Sequence, residues 1–264
     1  MFEWKRDVLR QIRTPAGLNG SSTAGRYKRG KPIDHENRVG GFRRLAATWS
    51  DEMAYVVGLI ATDGCLSKDM RHITLTSGDL QLVETYRATL GRPIRYRTDL
   101  RGKAPVYDAI FSDVELFDWL LSVGLQPRKS LVLGAIDVPD PQLASLVRGL
   151  LDGDGTISVF THAPTRRRYP NYLYERLGIT FNSASSSHIE WLRSRLLAAY
   201  GVRGSIQMWR KEGRHDQYKL RYAKYASIFL LNRLYHDAGA PRLERKWRTW
   251  SDFAARTGCA EGGI

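Results

Sequence analysis

A chain of 264 residues, 42% hydrophobic and 11% aromatic, suits one large domain or two modules and can bury a core, which excludes a disordered chain. A formal net charge of +14 points to a polyanionic partner, and two cysteines, Cys65 and Cys259, exclude a disulfide framework or an all-cysteine metal cluster. No apolar run approaches the roughly 20 residues of a membrane span, and MFEWKRDVLR lacks the apolar core of a signal peptide. The expectation is a soluble nucleic-acid-binding protein of the cytoplasm or an organelle, neither secreted nor membrane-bound.

In chain order, residues 1–49 are rich in Gly, Arg and Lys and read as a basic extension, with Lys28, Arg29 and Lys31 in GRYKRGKP as candidate DNA contacts in a minor groove or along the backbone. Ser50 then predicts an N-cap, followed by Asp51 and Glu52 in a first turn that favours acids. That helix runs apolar through VVGLIATDG, with Gly64 as its end. CLS and HITLTS read as short strands, and DLQLVETYRATLG as an amphipathic helix. RPIRYRTD and PVYDAIFS predict a hairpin, and DVELFDWLLSVG a further helix. From Asp140 the same order returns. Asp140 caps a helix with Pro141 at its first position, and VRGLLDGDG ends it at Gly155. TISVF and YERLGITFNS are strands joined by the basic loop THAPTRRRYPN, and SSHIEWLRSRLLAAYG is a helix. GSIQMWRKEG and HDQYKLRYA form a hairpin, and KYASIFLLNRLYHDAG is the next helix. The fold class is therefore α+β, with an αββαββα unit occurring twice: residues 1–49 as extension, 50–138 as the first module and 139–264 as the second. The charge divides unevenly, with 11 Lys and Arg against 4 Asp and Glu in residues 1–49, 10 against 12 in 50–139, and 20 against 11 in 140–264.

The two repeated stretches carry the chemistry. Gly58 and Thr62, and likewise Gly149 and Gly153, are four apart on one helix face, where small residues let a second backbone come close. Packed against each other, the two helices form the joint between the modules and bring Asp63 and Asp154 together. Two adjacent carboxylates repel, and a divalent cation relieves the repulsion. Mg²⁺ takes oxygen ligands and keeps waters, which suits Asp63, Asp154 and helix-end carbonyls, those of Thr62 and Gly153 being the candidates. Near a phosphate such an ion activates water and stabilises the leaving oxygen.

These stretches resemble those of the LAGLIDADG homing endonucleases, in the single-chain form with two motifs, over roughly residues 50–250. The resemblance implies a saddle of antiparallel sheets with the motif helices at its centre. It also implies a Mg²⁺-dependent, site-specific hydrolysis of both strands of a long, asymmetric double-stranded DNA target by an intron-encoded monomer. Ca²⁺ is expected to support binding without cleavage, and Mn²⁺ is a candidate substitute. Asp63 and Asp154 take the metal-ligand positions. The earlier motif acid is present as Asp152 but is Ala61 in the first copy, which makes the two sites unequal. GLQPRKSLVL and GAPRLERKWRTW each place an Arg-Lys pair after the last helix of a unit, so the family's basic catalytic residue falls on Lys129 and Lys246. Its water-holding polar residue falls on Thr76 and Asn182.

On such a saddle, strand parity assigns the DNA face. Arg95 and Arg97 share a face, as do Gln207, Trp209 and Lys211, and Lys219 and Arg221, while Met208, Leu220 and Tyr222 are core candidates. Ser67, Lys68, Thr74, Thr76, Ser158 and Asn182 are further candidates on the strands. Arg101, Lys103, Arg166, Arg167, Arg168 and Arg214 lie in loops and suit phosphate contacts. The six histidines show no metal spacing and read as surface or capping residues. The alternatives are an RNA maturase on the same fold, with intron RNA as partner, and a non-catalytic DNA-binding regulator.

Overall fold

In the computed structural model the described residues are 45–259 apart from 93, 101, 103, 163–173, 211 and 214. Helix α1 (Asp51–Asp63) starts where expected, with Ser50 Oγ accepting from the Met53 amide at 3.1 Å. It is buried on all sides from Met53 to Ala61, so it carries no polar stripe. It passes directly into β1 (Gly64–Leu66), and Gly64 is extended (φ −89°) rather than left-handed. The first half continues with β2 (His72–Ser77), α2 (Leu80–Leu90), β3 (Tyr96–Asp99), β4 (Val106–Ser112) and α3 (Val114–Ser122).

The second half repeats this order with α4 (Leu143–Asp152), β5 (Thr156–His162), β6 (Tyr174–Ser183), α5 (Ser186–Tyr200), β7 (Ser205–Trp209), β8 (Gln217–Tyr222) and α6 (Lys224–Leu234). The expected cap at Asp140 is not formed. Residues Asp140–Gln142 make a separate 3-10 turn, α4 starts at Leu143, and Asp140 pairs instead with Arg195. The motif helices also end differently. Asp63 is the last residue of α1, whereas α4 stops at Asp152 and Asp154 lies beyond it. A further helix, α7 (Glu244–Thr257), has no counterpart in the repeat read from the sequence; it buries Lys246, Trp250, Phe253 and Ala254 along one side.

The architecture is two pseudo-symmetric αββαββα halves. Each half folds its strands into one antiparallel sheet, in the orders β1-β2-β4-β3 and β5-β6-β8-β7. Inward positions alternate with outward ones: Ile73, Leu75, Ala109, Leu177, Ile179, Phe181, Leu220 and Tyr222 are buried against the helices. Between the sheets α1 and α4 pack along their lengths at backbone contact, and one core runs through both halves. A Cβ added at Gly58 would lie 2.8 Å from Gly149 Cα, and one at Gly149 would lie 3.0 Å from Gly58 Cα. Among the described residues no helix is long and apolar enough to cross a membrane.

Candidate active site

The crossing of α1 and α4 places the two motif ends side by side. A Cβ at Gly153 would meet Thr62 Cβ at 2.7 Å and the Asp63 Oδ2 at 3.2 Å, so the Asp63 carboxylate rests against the backbone of the other motif. Burial first, and the Asp154 charge beside it second, raise the Asp63 carboxyl to about 6 against the downward pull of Lys246 and Lys129. Burial likewise raises Asp154, against the same two lysines. Two acids and two ammonium groups thus share one electrostatic site. Thr62 turns its hydroxyl back to donate to Gly58 O at 3.2 Å and Leu59 O at 3.0 Å.

The lysines are not surface charges. Each is 5% exposed. Lys246 Nζ donates to the carbonyls of Leu151 (2.6 Å), Asp152 (2.7 Å) and Gly153 (2.9 Å), the open C-terminal end of α4. Lys129 Nζ donates to Gly64 O, where α1 ends. A cation on the last carbonyls satisfies acceptors that have no partner within the helix and complements its negative end. Burial lowers both ammonium groups, that of Lys246 to about 8. Lys129 and Lys246, to which the resemblance gives the family's basic catalytic role, are both engaged with backbone, and the Gly153 carbonyl, a candidate metal ligand, is one of their partners.

Asp152 is the last residue of α4 and is 1% exposed. It accepts from Tyr55 OH (3.0 Å), Tyr235 OH (2.9 Å) and the Leu243 amide (2.8 Å), and burial raises its carboxyl to about 6. Arg148, also 1% exposed, donates to Pro241 O (2.9 Å) and Leu234 O (2.8 Å) and lies over the Tyr55 ring. Together they tie the α6–α7 connection to α4. In the first motif Val57 and Ala61 occupy the equivalent places, so this polar hub is built once. The sequence reading passed over Arg148, Tyr55 and Tyr235; the spacing of Arg148 and Asp152, four apart within an apolar helix, was the available signal.

Asn182 and Thr76 fall on opposite sides of the site. Asn182 Nδ2 donates to Asp154 O at 2.7 Å, and both residues line a small cavity of about 20 Å³, room for one water. Thr76 borders an open recess beside Asp63 and donates to Asp108 Oδ1 at 2.7 Å. Asp108 also receives Arg97 Nη2 at 3.1 Å.

The outward sheet faces carry most of the remaining candidates. The register sets Thr74 opposite Cys65 and Ile110, and Thr76 opposite Asp108, which is itself opposite Arg97. On the second sheet Asn182, Lys219 and Gln207 form one row, and Thr180, Arg221 and Ser205 the next. Arg221 Nη1 donates to Gln207 Oε1 at 3.1 Å, and Lys219 Nζ lies over the Trp209 ring. Ser158 belongs to the same face and donates to Gly178 O. Ser67 and Lys68 lie in the β1–β2 turn, and Arg95 is exposed just before β3. The sequence reading missed Phe160, which is 46% exposed here, with Arg176 opposite it. Two expectations fail. Met208 is 56% exposed, because β7 is the outer strand of its sheet and Met208 lies near its end. His188 is 4% exposed rather than on the surface, with Nδ1 2.9 Å from Gly134 O and its ring stacked on Trp191. Lys28, Arg29, Lys31, Arg101, Lys103, Arg166, Arg167, Arg168, Lys211 and Arg214 lie outside the described residues.

The donor set fits a hard divalent ion: two raised, mutually repelling carboxylates at adjoining chain turns, all oxygen. Among the described residues no group of three His, Cys, Asp or Glu is placed to hold a metal, so water and substrate oxygens would complete the coordination.

No family model matches the sequence, and no curated protein matches it. Solved structures do. Meganuclease I-SmaMI bound to uncleaveable DNA with a TTGT central four superposes with a TM-score of 0.52 at 11% identity, over 83% of this chain and 92% of that one. The fold is that of the LAGLIDADG endonucleases. Meganuclease I-AabMI bound to uncleaved DNA gives 0.51 at 15% identity, over 77% of this chain and 89% of that one. Homing endonuclease I-WcaI bound to its DNA recognition sequence gives 0.51 at 10% identity, over 78% and 87%. Full-length DUF199/WhiA from Thermatoga maritima gives 0.46 at 15% identity, with 79% of this chain spanning 65% of that one.

Proposed function

We propose that this chain is a site-specific endonuclease that hydrolyses both strands of duplex DNA with a divalent cation, Mg²⁺ first, held by Asp63 and Asp154. One observation carries the reading: the ends of two helices in backbone contact present two carboxylates, one from each half, between two sheets whose outward faces bear Arg97, Lys219 and Arg221. The I-SmaMI, I-AabMI and I-WcaI structures named above hold DNA, and the +14 charge of this chain suits that polyanion. When bound, the cation supplies Lewis acidity and an activated water. The residues of the chain do the rest. Asp63 and Asp154 provide its oxygen ligands, and Lys129 and Lys246 hold the two helix ends and offset the carboxylate charge. Asn182 fixes the backbone of Asp154. The outward strands fix the register of the duplex, one half-site to each sheet. As the halves differ in sequence, the target is asymmetric.

The test uses a target enriched from a random duplex library by the wild-type protein in Ca²⁺. Asp63→Asn and Asp154→Asn should each bind it as tightly as wild type or more tightly, since a negative charge near the phosphates is lost. Neither should linearise a supercoiled plasmid carrying it in Mg²⁺. Linearisation at the wild-type rate by either variant would overturn the reading. A wild type that binds and never cuts would leave a DNA-binding regulator, a reading to which the engaged lysines already lend weight.

A further inference from the structure

The two Arg-Lys pairs divide their labour. Lys246 is buried under α4, while its neighbour Arg245 has a side chain 65% exposed. It borders an open recess of about 400 Å³ together with Asp63, Thr76, Ser77, Asp79 and Gly153. Its Nε lies 3.3 Å from Asp79 Oδ2, a residue of the other half. Asp79 is itself fixed, since its other oxygen accepts from the Gln81 amide at 3.2 Å to cap α2.

We propose that Arg245 binds the scissile phosphate of the DNA strand served by Asp63, an inference that rests on the endonuclease reading. A guanidinium held at Nε keeps both Nη groups for two phosphate oxygens, the fork geometry that suits Arg to this anion. The recess is polar, open to solvent and has Asp63 in its wall, so a strand lying there brings its phosphate to both groups. In the hydrolysis a water oxygen forms a bond to phosphorus and an ester P–O bond breaks. The proton lost by the water ends on the leaving ester oxygen. Negative charge grows meanwhile on the non-bridging oxygens, where a positioned cation binds the transition state more strongly than the ground state.

The device is one-sided. In the first half the matching pair is Arg128-Lys129, and the residue matching Asp79 is Ser185, whose hydroxyl donates to Leu133 O at 2.6 Å. Arg128 is exposed, on a left-handed backbone (φ 57°), with no carboxylate from that position to hold it. The strand at Asp63 is therefore clamped by a held arginine that the strand at Asp154 lacks.

The experiment compares wild type with Arg245→Gln and Arg245→Lys on the library-selected duplex, each strand separately end-labelled. In EDTA, the slope of log affinity against log salt should fall by about 0.9 for Arg245→Gln, one phosphate contact, and stay near wild type for Arg245→Lys. In Mg²⁺, Arg245→Gln should slow one strand by about 100-fold or more, the loss typical of removing one such donor, and the other by less than about threefold. On a supercoiled plasmid carrying the same site, nicked circles should then accumulate. An unchanged salt slope, or equal slowing of both strands with a lowered Tm, would overturn the proposal, the latter marking the Asp79 bridge as structural only. A wild type that binds without cutting defeats the endonuclease reading instead, and the salt slope still decides the phosphate contact.

Discussion

Gly58 and Gly149 face each other so closely that neither has room for a methyl group. A Cβ at Gly58 would stand 2.8 Å from Gly149 Cα and 2.8 Å from Leu150 N, all backbone that cannot turn aside. Gly149→Ala gains about 0.5–1 kcal/mol of helix propensity, and must then force α1 and α4 apart. Overpacking of this kind costs about 1–3 kcal/mol, and more where backbone meets backbone. Gly149→Ala and Gly58→Ala should each lower stability by at least about 1 kcal/mol in urea unfolding, and Gly149→Leu by several. A variant that melts with wild type would show that the helices separate freely.

Asp152 and Ala61 occupy equivalent motif positions with opposite consequences. Asp152→Ala would leave Tyr55 OH, Tyr235 OH and the Leu243 amide without their acceptor. Each orphaned buried group costs about 1–3 kcal/mol, so a loss of at least about 3 kcal/mol is expected. Ala61→Asp should also destabilise, because the position is 6% exposed and a carboxylate placed there is desolvated. Equilibrium unfolding of the two variants checks both. An Ala61→Asp protein as stable as wild type would contradict the one-sided hub.

The difference between these two positions also marks how far the sequence could be read. Period-two alternation was enough to put Lys219, Arg221 and Gln207 on one face and Leu220 and Tyr222 on the other, and the glycine spacing to pair the motif helices. It failed at Met208, because alternation gives a side of the sheet and not how far the helices extend beneath it. Helix α7 was legible but passed over: Lys246, Trp250, Phe253 and Ala254 recur at helical spacing just beyond the repeat. The burial of Lys129 and Lys246 was not legible. A long flexible side chain ends where a distant carbonyl needs a donor, and that carbonyl is set by tertiary packing rather than by neighbours in the chain.

The two buried lysines should differ in what their loss costs. Lys246 serves three carbonyls of α4, whereas Lys129 serves one at the end of α1. Methionine keeps most of the stem and removes the ammonium, leaving those acceptors in a dry site. Lys246→Met should therefore lower stability by about 2–4 kcal/mol and Lys129→Met by about 1–2 kcal/mol. Chemical denaturation measures the difference, and equal losses would show that the number of carbonyls served does not matter.

Asp63 gives a prediction with a definite pH sign. Its carboxyl is raised from 3.8 to about 6 in the folded protein, by burial first and by Asp154 second. A raised pKa means that the folded state holds a proton the unfolded chain has already lost. The stability linked to it is fully present below about pH 3.8 and is lost as pH rises through about 6. At pH 7 without metal, the ionised carboxylate is thus a cost of folding, at most about 3 kcal/mol from the size of the rise and nearer 1–2 kcal/mol where solvent reaches it. Asp63→Asn should raise Tm in EDTA at pH 7 by about 3–6 °C and leave it unchanged near pH 4. Taking the difference between variant and wild type at each pH is essential. His188, lowered to about 4 by burial, loses stability in the opposite direction over the same range and cancels only in that difference. Lys246, lowered to about 8, titrates above the window. Excess Mg²⁺ at pH 7 should reverse the order, stabilising wild type and not the variant, because the cation then binds the carboxylate that only wild type carries. Differential scanning calorimetry over pH 4–7, with EDTA and with Mg²⁺, reads all three outcomes. A variant no more stable than wild type at pH 7 in EDTA would show that Asp63 bears no repulsion for a cation to relieve.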